Sequence, residues 1–133
     1  MNPLVSYPID KDTPVSHLPF SPAVRVGDLI FVSGQASVDA TGKIVADTFE
    51  GEFRRSVENL RKVLETAGSD LQHVIQTRNY VRDAAHVPRY NELYREYFSA
   101  PFPSRTTITN CLPPTLHFEI ECVAVANPNS SSS

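Results

Sequence analysis

Two kinds of hydrophobic spacing divide the chain into elements. In DTFEGEFRRSVENLRKVLETAG the apolar residues Phe49, Phe53, Val57, Leu60 and Leu64 recur every three or four positions, the period of one face of an α-helix. Asp47 with Glu50 resembles a capping box, and Gly68 falls where a C-cap glycine belongs. The run of about 20 residues sits at the upper end for a globular helix. A second stripe, Val87, Tyr90, Tyr94 and Phe98 with Leu93 and Tyr97 beside it, marks VPRYNELYREYF as another helix. Asp83 is placed to cap it, and Pro88 suits its first turn. Elsewhere the period is two. LHFEIECVAVA sends Phe118, Ile120, Cys122 and Ala124 to one face and His117, Glu119, Glu121, Val123 and Val125 to the other. AVRVGDLIFVSG reads as two strands around a turn at Gly27–Asp28, with Leu29 to Val32 apolar enough for cover on both faces. Lys43 to Val45 reads as a short strand in a hairpin turning at Thr41–Gly42. Val74 to Val81 and FPSRTTITNCL supply two further strands.

The predicted order is strand, strand, strand, helix, strand, helix, strand, strand. Two helices cannot cover both faces of such a sheet, so the economical α+β packing sets both helices on one face. The helices then meet Phe118, Ile120, Cys122 and Ala124. The opposite face mixes charge with apolar residues, a pattern that suits burial against another copy of the protein. The 133 residues fit one domain. Residues 1–18 are expected to be an extended arm, because residues 1–22 hold five of the eleven prolines. Residues 19–126 form the folded body. The polar tail 127–133, NPNSSSS, cannot pack and is expected to be disordered.

Composition narrows the function classes. A net charge of −3 removes the default case for non-specific nucleic-acid binding, which depends on many phosphate contacts. No stretch approaches the ~20 apolar residues a membrane helix needs. MNPLVSYPIDKD has no basic region followed by an apolar run, so no signal peptide is expected and the cytoplasm is the expected location. Cys111 and Cys122 do not make a disulfide scaffold; reduced core thiols are expected, with a bridge across paired strands as the alternative. His17, His73, His86 and His117 have no metal-site spacing, so neither a metal nor a cofactor is expected.

The chemistry-bearing residues gather near the C-terminus. Arg105, Thr107 and Thr109 share one strand face, and Glu119 lies on the non-helical face of its own strand. Were Arg105 on that same sheet face, a guanidinium and a carboxylate would meet at an oligomer seam. The guanidinium would grip a substrate carboxylate through two parallel bonds, and burial would tune Glu119 as a proton carrier. The plainer alternative is a cross-strand ion pair. SGQ after the long strand has an ordinary-turn reading, and Asn91 a solvent-facing one.

The motifs AVRVGDLIFVSGQ, TGKIV, NLRKVLETAG, NELYREYF, FPSRTTI and FEIECVA stand in an order, over roughly residues 19–126, that resembles the RidA/YjgF family. These proteins are enamine/imine deaminases, formerly described as L-PSP endoribonucleases or translation inhibitors. The resemblance implies the chorismate-mutase-like, YjgF-type fold, a six-stranded mixed sheet with two helices on one face. It also implies a homotrimer whose sheets line a central barrel, with ligand sites at the subunit seams. The family's carboxylate-binding arginine falls on Arg105, its water-activating glutamate on Glu119, its pocket-lining Ser-Gly on Ser33 and Gly34, and its helix asparagine on Asn91. Leu18, Phe20, Pro22 and Thr107 depart from the family pattern. Phe20 stands where many members have a tyrosine, and Thr107 where many have a cysteine.

The activity implied is hydrolysis of 2-enamino or 2-imino acids to 2-keto acids and ammonium. Arg105 would hold the carboxylate, with Ser33, Gly34, Phe20 and Asn91 lining the pocket and Thr107 and Glu119 near the reacting atoms. The partner implied is a small imine or enamine metabolite bearing a carboxylate. One alternative is a non-catalytic binder of small carboxylates, regulatory or chaperone-like. The other is an endoribonuclease or translation inhibitor, which the acidic balance disfavours.

Overall fold

The computed structural model describes residues 4–10, 13 and 16–128. Its elements are β1 (Val5–Ser6), β2 (Ala23–Val26), β3 (Leu29–Ala36), α1 (Phe49–Thr66), β4 (Val74–Val81), α2 (Val87–Tyr97), β5 (Ser104–Thr109) and β6 (Phe118–Val125). The strands form one six-stranded sheet in the order β1-β2-β3-β6-β4-β5. All neighbours are antiparallel except β4 and β5. Because β6 runs antiparallel to both β3 and β4, β3 and β4 are parallel. The chain therefore makes two parallel crossovers, β3–α1–β4 and β4–α2–β5, and both step the same way across the sheet. Right-handed crossovers in one direction put both helices on one face.

That face is the core. Phe49, Phe53, Val57, Leu60 and Leu64 of α1 pack with Tyr90, Leu93 and Tyr94 of α2 against Ile30, Val32, Phe118, Ile120 and Ala124 of the sheet. The alternation predicted for β6 is present residue by residue: Phe118, Ile120, Cys122 and Ala124 are buried, and the residues between them are half-buried.

Both ends of α1 are fastened. At the start, the cap is Thr48, one residue later than the predicted Asp47; its hydroxyl accepts from Gly51 N at 3.1 Å. Asp47 instead accepts from Thr48 N and Arg55. The buried carboxylate of Glu52 accepts from the backbone N–H groups of Asp47 and His117, tying the helix start to the entrance of β6. At the other end, Gly68 takes φ +91°, the left-handed conformation a glycine adopts without Cβ strain. The buried Arg25 donates to Ala67 O at 2.8 Å and to Gly27 O at 3.0 Å, clamping the helix C-terminus to the β2–β3 turn. Asp83 caps the 3₁₀ turn Ala84–His86 that leads into α2, not α2 itself.

Several expectations are corrected. Lys43 to Val45 is not a strand; an isolated bridge, Val38 to Ile44, and the backbone bonds from Asp39 N to Lys43 O and from Val45 N to Ser37 O join it to its neighbour. The sixth strand comes from the arm, where Val5–Ser6 pairs with β2 at the sheet edge. Leu29 and Phe31 are exposed on the face away from the helices, so within one chain β3 is covered on one side only. Cys111 is exposed, Cys122 is buried, and both are free thiols. The predicted disordered tail falls mostly on residues 129–133, outside the described residues.

Candidate active site

Around Ser33 and Gly34 the pairing of β3 with β6 shifts register between Val32 and Gln35. Irregularities of this kind re-aim side chains and are common beside active sites. Ser33 anchors the bend to the preceding segment: its N–H donates to Pro22 O and its hydroxyl to Ser21 O at 2.6 Å. Gly34 then passes over Glu119. A Cβ at Gly34 would lie 3.0 Å from the Cδ and Oε2 of Glu119, so the glycine makes room for the carboxylate. Glu119 is half-buried, and no hydrogen bond or ion pair reaches its carboxylate among the described residues. Burial, and then the neighbouring charge of Glu121, push its pKa above the ordinary value of 4.5. Glu121 is engaged by the Tyr80 hydroxyl and by Arg78. An open cavity of about 560 Å³ lies here, lined by Glu119, Gly34, Phe20, His17 and Lys43 among others.

Arg105 is elsewhere. In the sheet register it stands beside Thr77, which stands beside Cys122, so its side chain leaves the helix-bearing face. The expected meeting of Arg105 and Glu119 on one face does not occur within a chain. They lie on opposite faces and two strands apart, about 10 Å laterally by strand spacing. β5 is the edge strand, and its Arg105 reaches past the sheet to α2. Its guanidinium carbon sits 4.9 Å from the ring centroids of both Tyr90 and Tyr94. Each contact is worth roughly 0.5–1 kcal/mol at an exposed site, and together they fix the guanidinium without neutralising it.

The rings are themselves fixed. Tyr94 shares a hydrogen bond of 2.8 Å with the Thr77 hydroxyl, which also accepts from Asn79. Tyr90 shares one of 2.9 Å with Thr107. Burial pushes the Tyr90 hydroxyl up to about 12 and raises that of Tyr94, so both remain protonated hydrogen-bonding groups. A groove of about 240 Å³ opens in front of Arg105, lined by Asn91, Tyr94, Arg95, Phe102 and Pro103. The side-chain oxygen of Asn91 is buried there without a hydrogen-bond partner among the described residues.

The sequence-predicted residues thus fall into two clusters. Arg105, Thr107 and Asn91 gather at the α2–β5 edge; Ser33, Gly34, Phe20 and Glu119 gather on the open face at β3–β6. Tyr90, Tyr94 and Arg95 belong to the first cluster and were missed as site residues. The tyrosine spacing read as core, which it also is, and only the edge position of β5 gives the rings a second task.

The open face carries exposed Leu29, Phe31, Ile75 and Ile108, with half-buried Val123 and Val125 beside Phe31 and Leu29. Among the described residues no helix is long and apolar enough to cross a membrane.

Comparison with known proteins supplies the lineage. The profile of the family described as Endoribonuclease L-PSP matches residues 10–126. The human 2-iminobutanoate/2-iminopropanoate deaminase is 32% identical over 117 residues, covering 86% of this chain and 85% of that protein. Among solved structures, the yeast protein YEO7 superposes with a TM-score of 0.85 at 27% identity, over 92% of this chain and 99% of its own. Escherichia coli TdcF, solved with bound serine, superposes with a TM-score of 0.80 at 28% identity, over 92% and 99%. With the mixed six-stranded sheet, the one-sided helices and the motif order all in agreement, the chain belongs to the endoribonuclease L-PSP family, the RidA/YjgF proteins.

Proposed function

We infer that the protein hydrolyses 2-imino and 2-enamino acids to 2-keto acids and ammonium, at sites built between copies of the chain. The observation that carries this reading is the split pair. Arg105 is an unneutralised guanidinium held on two aromatic faces. Glu119 is a carboxylate without a partner among the described residues and with a raised pKa, on the opposite face of the same sheet. One chain cannot apply both to one small molecule. A neighbouring copy that docks its β3–β6 face near the α2–β5 edge brings its own Glu119 to the Arg105 groove. The exposed Leu29, Phe31 and Ile75 suit such a contact. A homotrimer is the assembly this reading adopts, by likeness to the family.

In that seam Arg105 grips the substrate carboxylate. Glu119 orients a water and accepts one of its protons as the oxygen attacks the imine carbon. From the iminium form this gives a neutral carbinolamine, whose nitrogen takes that proton back from Glu119; as the carbonyl forms, ammonia leaves and the hydroxyl proton passes to the Glu119 carboxylate, which releases it to give ammonium. Protein position and charge complementarity carry the rate, and the raised pKa of Glu119 makes it the stronger base toward the water. Support comes from the imine-deaminase name of the human relative and from the serine, a small carboxylate-bearing molecule, in the TdcF structure.

One observation favours a second reading, carboxylate binding without turnover. Thr107 shares its hydrogen bond with Tyr90, so that hydroxyl is already committed within the chain. A coupled assay separates the two. An amino-acid oxidase generates the imine, and ammonium release is followed with and without the protein. Arg105→Ala is expected to remove the acceleration while the fold survives. Wild-type kinetics in that variant would refute the mechanism, and tight binding of 2-ketobutyrate without any acceleration by the native protein would favour the second reading.

A further inference from the structure

The chain's arginines divide by partner. Arg25, Arg54, Arg55, Arg61, Arg78 and Arg89 each have a carboxylate within 4.0 Å. Arg82 donates to the carbonyl of Pro114 and meets the ring of His117. Arg95 and Arg105 have no carboxylate partner among the described residues, and both line the same groove of about 240 Å³. Arg95 follows Tyr94 directly, and the Tyr94 ring carries the Arg105 guanidinium, so the two cations stand on adjoining walls.

The carboxylates of α2 do not relieve this. Glu92 pairs with Arg89 at 3.6 Å and Glu96 with Arg54 at 3.1 Å. One turn before Arg95 stands Asn91, whose backbone carbonyl gives Arg95 a long 3.4 Å contact. Two like charges on one small groove repel unless an anion lies between them. A single carboxylate bound at Arg105 cancels one charge and leaves the other.

We propose that this groove selects a dianion: a 2-imino or 2-enamino acid whose side chain ends in a second anionic group, with Arg105 on the 2-carboxylate and Arg95 on the distal one. The proposal deepens the deaminase reading and rests on its assignment of the carboxylate grip to Arg105. The groove is smaller than the roughly 300–1,000 Å³ of drug-sized ligand sites, which suits a short dicarboxylate and not a large ring. Arg95 is exposed in the single chain, so its contribution is at the scale of a surface ion pair, about fivefold in affinity, and larger where a second copy covers the seam.

The test uses stable product analogues on the intact protein. Calorimetry compares 2-ketoglutarate with 2-ketohexanoate, a chain of similar length without the second charge. The native protein is expected to bind 2-ketoglutarate about fivefold more tightly or better. Arg95→Gln is expected to erase that preference, by weakening 2-ketoglutarate more than 2-ketohexanoate. Equal affinities in the native protein, or no binding of 2-ketoglutarate at millimolar concentration, overturn the proposal. So does an Arg95→Gln variant that weakens both ligands alike. If Arg95→Gln instead changes the oligomer mass by light scattering and keeps the preference, Arg95 pairs with a neighbouring copy and the proposal falls. Arg105→Gln keeps the two readings apart: retained 2-ketohexanoate binding there removes the carboxylate grip itself. Lost binding there, with no Arg95 dependence elsewhere, removes only the dianion selectivity.

Discussion

Gly34 offers a perturbation that separates chemistry from stability. Its backbone is outside the left-handed region, so alanine adds no dihedral strain, and losing glycine's unfolded-state freedom contributes about 0.4–1 kcal/mol of stability. Against that, the new Cβ would lie 3.0 Å from Glu119 Cδ and Oε2 and 3.3 Å from Oε1, where ordinary contact begins at 3.4 Å. The obstructing atoms are the end of a flexible side chain, so Glu119 yields by a few tenths of an ångström and the backbone stays in place. The two effects nearly cancel. Gly34→Ala is therefore expected to unfold within about 4 °C of the native protein at equal protein concentration, which corresponds to about 1 kcal/mol. Catalysis is less forgiving: misplacing a reacting group by about 1 Å costs about 100-fold, and this smaller shift is expected to cost roughly tenfold in kcat. Calorimetric unfolding and the coupled ammonium assay read the two quantities on one preparation. A native kcat in Gly34→Ala would show that the position of the Glu119 carboxylate does not govern turnover. A loss of stability well beyond 2 kcal/mol would show that the bulge, not the carboxylate, takes up the strain.

Other expectations are independent of that one. Arg25→Leu removes the buried donors to Ala67 O and Gly27 O and should lower stability by about 3 kcal/mol in urea unfolding; a loss under 1 kcal/mol would contradict the clamp. Because burial and Glu121 raise the pKa of Glu119, the acid limb of the kcat/KM profile should lie above the ordinary carboxylate value and move down in Glu121→Gln; an unmoved limb would contradict the coupling. The sign for stability is opposite to that of a salt-bridged acid: the ionised form is the disfavoured one in the fold. Glu119→Gln should therefore raise the melting temperature near neutral pH, and the gain should vanish below the ordinary carboxylate pKa. Burial pushes the Cys122 thiol up to about 12, so iodoacetamide should label Cys111 and spare Cys122 in the folded protein, as read by mass spectrometry.

Much of the fold is legible in the sequence because burial imposes a period. The apolar spacing of α1 and the alternation of β6 each face one continuous core, and the structure follows both closely. The arm strand leaves no such mark. Val5–Ser6 is two residues paired at an edge, too short for any pattern, while KIV carried strand-like residues that found no ladder to join. The site was legible as residues but not as geometry. Alternation shows that Arg105 and Thr107 share a face, yet β5 is an edge strand with little contrast in burial between its two sides. Nothing in SRTTIT says which side meets α2. Only the register of β4 with both β5 and β6 decides that Arg105 and Glu119 look in opposite directions.

Whether one copy's Arg105 works with another copy's Glu119 can be read by complementation. Arg105→Ala and Glu119→Gln proteins, each inactive alone, are unfolded together in equal amounts and refolded. With random assembly, roughly a quarter of the seams pair an intact Arg105 with an intact Glu119 from the neighbouring copy, whatever the order of the ring. Recovery of about a quarter of native deaminase activity is expected in the mixture. No recovery, with mixed oligomers demonstrated by mass, would mean that both groups must come from one chain, and would contradict the pairing between copies.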